Sequence, residues 1–131
     1  MKIYNTELIP NDRENEIKAL SWLADSKRGG DKAIGFFSKK NFTPVFQRIL
    51  GRDNVEDIWK KKEVQLSDAE NAMIVTARAL GRNHYSNVVL FYPTMDWFHK
   101  LADQEFFEQV LIVPWLPEEL EKLREMGSEE I

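Results

Sequence analysis

The chain has 131 residues, of which 43% are hydrophobic and 31% charged, with a formal net charge of -4 and no cysteine. That length suits one domain spanning residues 1–131, with enough apolar content for a core that needs no metal or disulfide staple. The missing cysteines exclude disulfides, zinc–thiolate sites, iron–sulfur clusters and thiol catalysis, and the acidic balance argues against a broad nucleic-acid footprint.

No apolar run approaches the roughly 18 residues of a membrane span. The start, Met1 to Glu7, lacks the apolar core of a signal peptide. A cytoplasmic protein without a membrane partner is the expectation.

In chain order, residues 2–9 alternate loosely between apolar and polar and predict an edge strand that Pro10 ends. Asn11 or Asp12 then suits an N-cap, with Glu14 and Glu16 at the positive end of a helix. Ile17, Leu20, Leu23 and Ala24 keep helical spacing, Lys27 and Arg28 fill the last turn, and Gly29-Gly30 stops it. The helix is predicted over about 12–28.

Ala33 to Phe37 is short and apolar on both faces, as in strands buried within a parallel sheet. The polar stretch Ser38-Lys39-Lys40-Asn41 follows, and Thr43-Pro44 reads as a helix start, with proline at the first position. Val45, Phe46, Ile49 and Leu50 form its stripe and Gly51 its end. A second short helix is capped by Asp53 or Asn54 and closes at Lys60-Lys61-Lys62. Residues 63–66 predict a short strand.

Ser67-Asp68-Ala69-Glu70 fits a capping box. Ala72, Met73, Thr76, Ala79 and Leu80 behind it follow helical spacing, so a buried helix is expected up to Gly81. Arg82 to Ser86 is read as a loop. Residues 88–92 form a second strongly apolar strand, Thr94 caps a helix carrying Trp97, Phe98 and Leu101, and residues 110–115 form the third strand after Phe106-Phe107. The connection at 93–109 has the length of a βαβ crossover. Pro117 opens a last helix that Gly127 ends, and Ser128 to Ile131 reads as a frayed tail.

This alternation predicts an α/β fold: a small three-layer, Rossmann-like or flavodoxin-like domain. Its mainly parallel sheet would have three or four strands ordered 2-1-3-4, behind an extra N-terminal helix. Such sheets bind ligands beyond the carboxyl ends of their strands, where strand order reverses. The loops at that point supply Ser38, Lys39, Lys40, Asn41 and Thr43 from one side and Thr94 and Asp96 from the other. Two ammonium groups beside a helix N-terminus suit a phosphate or carboxylate. Polar turns that merely cap helices look the same.

The motifs of established chemistry are missing. Nothing matches the glycine fingerprints of dinucleotide or triphosphate sites. Only two histidines occur, His84 and His99, with no metal-binding spacing. Ser38, His99 and Asp96 can be written as a triad, but no nucleophile elbow surrounds Ser38. No metal, cofactor or catalytic set is expected. Trp97, Phe98 and Trp115 read as interface anchors, because adjacent Trp97 and Phe98 point about 100° apart on a helix. The leading functional expectation is a non-enzymatic interaction or assembly module that self-associates or binds a protein partner. The alternative is a small-anion or nucleotide-binding domain, whether a plain binder or an enzyme, with its site at the carboxyl ends of the strands.

Overall fold

The computed structural model describes residues 1–26, 31–68, 70–80, 84–103 and 107–131. Among these, seven strands and six helices form a mixed α/β fold around a mostly parallel sheet. The strands are β1 (Lys2–Asn5), β2 (Lys32–Phe36), β3 (Glu63–Ser67), β4 (Glu70–Thr76), β5 (Tyr85–Phe91), β6 (Phe107–Val113) and β7 (Glu129–Glu130). The helices are α1 (Arg13–Asp25), α2 (Lys39–Leu50), α3 (Val55–Lys61), α4 (Ala77–Leu80), α5 (Met95–Asp103) and α6 (Pro117–Glu125).

The sheet order is β3-β4-β2-β5-β6-β1-β7, and β3–β4 is its antiparallel pair. β2, β5 and β6 are parallel neighbours, in register from Ile34↔Val89 to Val89↔Leu111. Their continuous apolar sequences are buried throughout β2 and β5, as expected where helices cover both faces. Side chains alternate between two cores. Ile34, Phe36, Val89 and Leu111 pack with α1, α2 and α3, while Ala33, Val88, Leu90 and Val110 pack with α4, α5 and α6.

The sheet is larger than the three or four strands the sequence suggests, for three reasons. First, residues 70–76 are strand rather than helix. Ala72 and Ile74 are buried while Asn71 and Met73 are exposed, a period of two, and Ile74, Val75 and Thr76 are β-branched. The capping-box pattern is instead a hairpin turn, with Ser67 opposite Glu70. Second, the N-terminal strand is no edge: β1 lies between β6 and β7. Third, residues 128–131 are held rather than frayed. Ile131 N–H donates to the Asn5 carbonyl at 3.0 Å, and Ser128 Oγ donates to Asn5 Oδ1 at 2.8 Å.

Helix α2 also starts earlier than Thr43-Pro44, at Lys39, with Ser38 as N-cap. Pro44 sits inside the helix, where it removes an N–H that would reach the Lys40 carbonyl. The earlier start brings Phe42 onto the same buried stripe as Val45 and Phe46, and Phe42 stacks on Phe46 at 4.8 Å. Burial of a large aromatic outweighs one lost backbone bond. The predicted ends at Lys27 to Gly30 and at Gly81, the loop residues Arg82 and Asn83, and Phe106 lie outside the described residues.

No helix among the described residues is long and apolar enough to cross a membrane.

Candidate functional site

The carboxyl ends of β2 and β5 are adjacent, and the chain leaves them in opposite directions. After β2 it passes to α2 and α3 on one face and on to the β3 edge. After β5 it passes to α5 on the other face and back to β6. The two loops therefore diverge and leave concave surface between them.

Two clefts open at this end. The first, of about 360 Å³, is lined by Asn11, Lys40, Asn41, Arg48, Tyr92 and Trp115 over a floor of Pro44 and Val45. The second, of about 520 Å³, is lined by Thr94, Asp96, Leu116, Glu118, Glu119 and Lys122. Tyr92 and Trp115 line both, so they form the shared wall.

Beneath the first cleft lies a buried ion pair. Glu16 is fully buried on α1. Arg48, on α2, donates Nε–H to Glu16 Oε1 at 2.8 Å and Nη2–H to Oε2 at 2.6 Å. Tyr92 Oη–H donates to Glu16 Oε2 at 2.7 Å and accepts the Asn11 N–H at 2.9 Å. Burial, then the Glu16 carboxylate, pushes the Tyr92 hydroxyl well above the usual tyrosine range. The Arg48 guanidinium is likewise raised, chiefly by its bonds to Glu16. Arg13 Nε–H donates to the Arg48 carbonyl at 2.9 Å, tying α1 to the end of α2.

Tyr92 has φ of 51°, an unusual conformation for a bulky residue. It is held there from several sides. Its N–H donates to the Val113 carbonyl at 2.9 Å, its hydroxyl is fixed by Glu16, and its ring meets Trp115 edge to face at 5.3 Å. The Trp115 backbone is held in turn: its amide N–H donates to Glu119 Oε1 at 3.0 Å. The Glu119 carboxylate also accepts from Leu116 N–H, at the start of α6.

Comparison with protein families, with curated proteins and with solved structures finds no match for this chain.

The residues suggested by sequence are divided among different surroundings. Lys40 and Asn41 line the first cleft. Thr94 and Asp96 line the second, and Thr94 Oγ1 accepts the Trp97 N–H at 3.2 Å as a cap. Lys39 turns instead toward α3, where it pairs with Glu56 at 3.0 Å and lies near the Trp59 ring. Ser38 Oγ–H donates to Asn41 Oδ1, and Thr43 Oγ1–H donates to the Lys39 carbonyl. Of the lysine run, Lys62 folds back over Trp59, 3.4 Å from the ring centroid. His84 and His99 are exposed. Among the described residues no three histidine, aspartate or glutamate side chains gather as a metal site.

The aromatic residues also separate. Trp97 and Phe98 are both buried in the core, so adjacent positions on a helix do not force one of them outward here. Trp97 lies against Phe37 and Phe98 against the sheet. Trp115 alone of the three is exposed, at 42%. Sequence reasoning missed Asn11, Glu16, Arg48 and Tyr92 as a group. The signal available for Tyr92 was its place between a buried strand and Pro93. Glu16 and Arg48 lie on separate helices, and no local pattern joins them.

Proposed function

We propose that this chain binds a small anionic ligand, of the size of a phosphate-bearing metabolite or nucleotide, in the first cleft at the carboxyl end of the sheet. The observation that carries this reading is Arg48, fixed in the cleft wall by the fully buried Glu16 and sharing that wall with Lys40. The pairing uses two of the five guanidinium donors, and the Arg48 side chain keeps 26% of its exposure. The remaining donors suit bidentate contact with a phosphate or carboxylate. Lys40 makes no ion pair among the described residues, so its charge is free to meet a ligand. The reading takes residues 1–131 as one Rossmann-like unit that uses its switch point.

The test is calorimetric titration of wild type, Lys40→Ala and Lys39→Ala with inorganic phosphate and a nucleotide panel. Lys40→Ala should weaken binding of every phosphorylated probe, while Lys39→Ala, whose ammonium is engaged by Glu56, should bind as wild type does. No binding by wild type, or equal binding by Lys40→Ala, overturns the reading.

A second reading, a self-associating interaction or assembly module, keeps one observation in its favour. Trp115 and Leu116 are adjacent and exposed at 42% and 46%, and exposed neighbouring apolar side chains mark contact surfaces. Light scattering at high protein concentration tests it: a mass near 15.4 kDa removes self-association.

A further inference from the structure

We infer that the ligand of the first cleft is a nucleoside monophosphate, whose phosphate meets Lys40 and Arg48 and whose base stacks on Trp115. This inference rests on the anion-binding reading above and extends it to the rest of the ligand.

Charge limits the phosphate count. Arg48 is largely neutralised by Glu16, which leaves Lys40 as the uncompensated cation of the cleft. One phosphate suits that balance. A triphosphate would need further cations or a backbone cradle, and the Ser38 cap and first turn of α2 hold no glycine to form one.

Trp115 supplies the reason for a flat ring. It is exposed, yet the Glu119 carboxylate holds its backbone N–H and the Tyr92 ring packs edge to face against its indole. An aromatic held in place loses little freedom on binding, and base–indole stacking suits any of the four bases. Trp115 also borders both clefts, so a ring on it brings the rest of the ligand within the second. There the carboxylates of Asp96, Glu118 and Glu119 outnumber the ammonium of Lys122 and offer acceptors. Carboxylates repel a second phosphate but accept readily from ribose hydroxyls or an exocyclic amine. The two clefts thus impose a direction: anion toward α2, hydrogen-bond donors toward α5 and α6.

Titration by tryptophan fluorescence and by calorimetry, with inorganic phosphate, ribose 5-phosphate, adenosine and the four common ribonucleoside 5′-monophosphates, tests the inference. At least one monophosphate should bind about tenfold tighter than ribose 5-phosphate, the margin expected of one stacked base. Trp115→Ala should erase that margin, so that the monophosphates and ribose 5-phosphate bind this variant alike, with the far-ultraviolet circular dichroism of wild type. Trp115→Phe, which keeps a smaller ring, should retain part of it. If ribose 5-phosphate matches all four monophosphates, the stacked base is wrong and the anion reading stands. If adenosine binds as tightly as its monophosphate, the phosphate contact is wrong. If no phosphorylated probe binds, both readings fall together.

Discussion

The Tyr92 hydroxyl donates to Glu16 Oε2 at 2.7 Å, across 76 residues of sequence. This bond joins the carboxyl end of β5 to a carboxylate that is fully buried on α1. With Arg48 on the same carboxylate, three elements meet at one group. A buried charge is tolerated only when paired and hydrogen-bonded, so the position of Arg48 in the cleft depends on Glu16.

Breaking that pair from one side should be costly. Arg48→Met leaves the Glu16 carboxylate without its cation and should lower stability by about 3–5 kcal/mol. Glu16→Leu added to Arg48→Met removes the orphaned charge and should recover part of the loss. Urea unfolding of the single and double variants measures both. An Arg48→Met chain as stable as wild type would show that the pair contributes nothing.

The pH dependence follows from the sign of the Tyr92 shift. Its folded-state pKa is raised by burial and by Glu16 above the unfolded value of about 10. Below about pH 10 both states hold the proton, and the contribution of its bonds is fully present. Above that the unfolded chain loses the proton first, so stability falls as pH rises. Tyr92→Phe should therefore be less stable than wild type at neutral pH, by about 1–2 kcal/mol for the lost bonds. It should also decline less steeply above about pH 10. Parallel alkaline slopes for the two proteins would contradict the assignment.

Gly35 is a packing site in the middle of β2. A Cβ there would lie 2.5 Å from Leu90 Cδ2 and 3.4 Å from Leu80 Cδ2, both of which belong to fully buried side chains. Gly35→Ala should lower stability by about 1–3 kcal/mol through overpacking. Leu90→Val in the same chain removes the δ carbons and should restore part of it. Thermal unfolding of the two variants gives the comparison, and a double variant no better than Gly35→Ala would place the clash elsewhere.

Trp97 is 7% exposed, and its Nε1 has no hydrogen-bond partner among the described residues. Trp97→Ala should lower stability by about 3–5 kcal/mol, as expected for emptying a core aromatic site. Trp97→Phe should lose less, because it keeps a ring and removes an unsatisfied N–H. Equal losses in both variants would mean that the indole nitrogen has a partner.

Short-range chemistry made much of this fold readable in advance. β2, β5 and β6 are apolar on both faces, and only strands sandwiched by helices need that composition. Thr94 and Pro117 mark helix starts because orphan N–H groups and a fixed φ are local demands. The strand-end location of the clefts followed from the same alternation of strands and helices. Other features depend on partners distant in sequence. Residues 70–76 fit helical spacing on paper, yet they pair with β2 and β3 because the sheet offers hydrogen bonds to both edges. The last residues are ordered by Asn5, at the other end of the chain. Lys39 and Lys40 are equivalent in sequence, and the roughly 100° between neighbours on a helix sends the first to Glu56 and the second to the cleft. Glu16, Arg48 and Tyr92 follow the same logic. Each is an ordinary polar residue in its own segment, and only the packing of α1 and α2 on the end of β5 buries the Glu16 carboxylate, so that charge and hydrogen bonding draw Arg48 and Tyr92 to it.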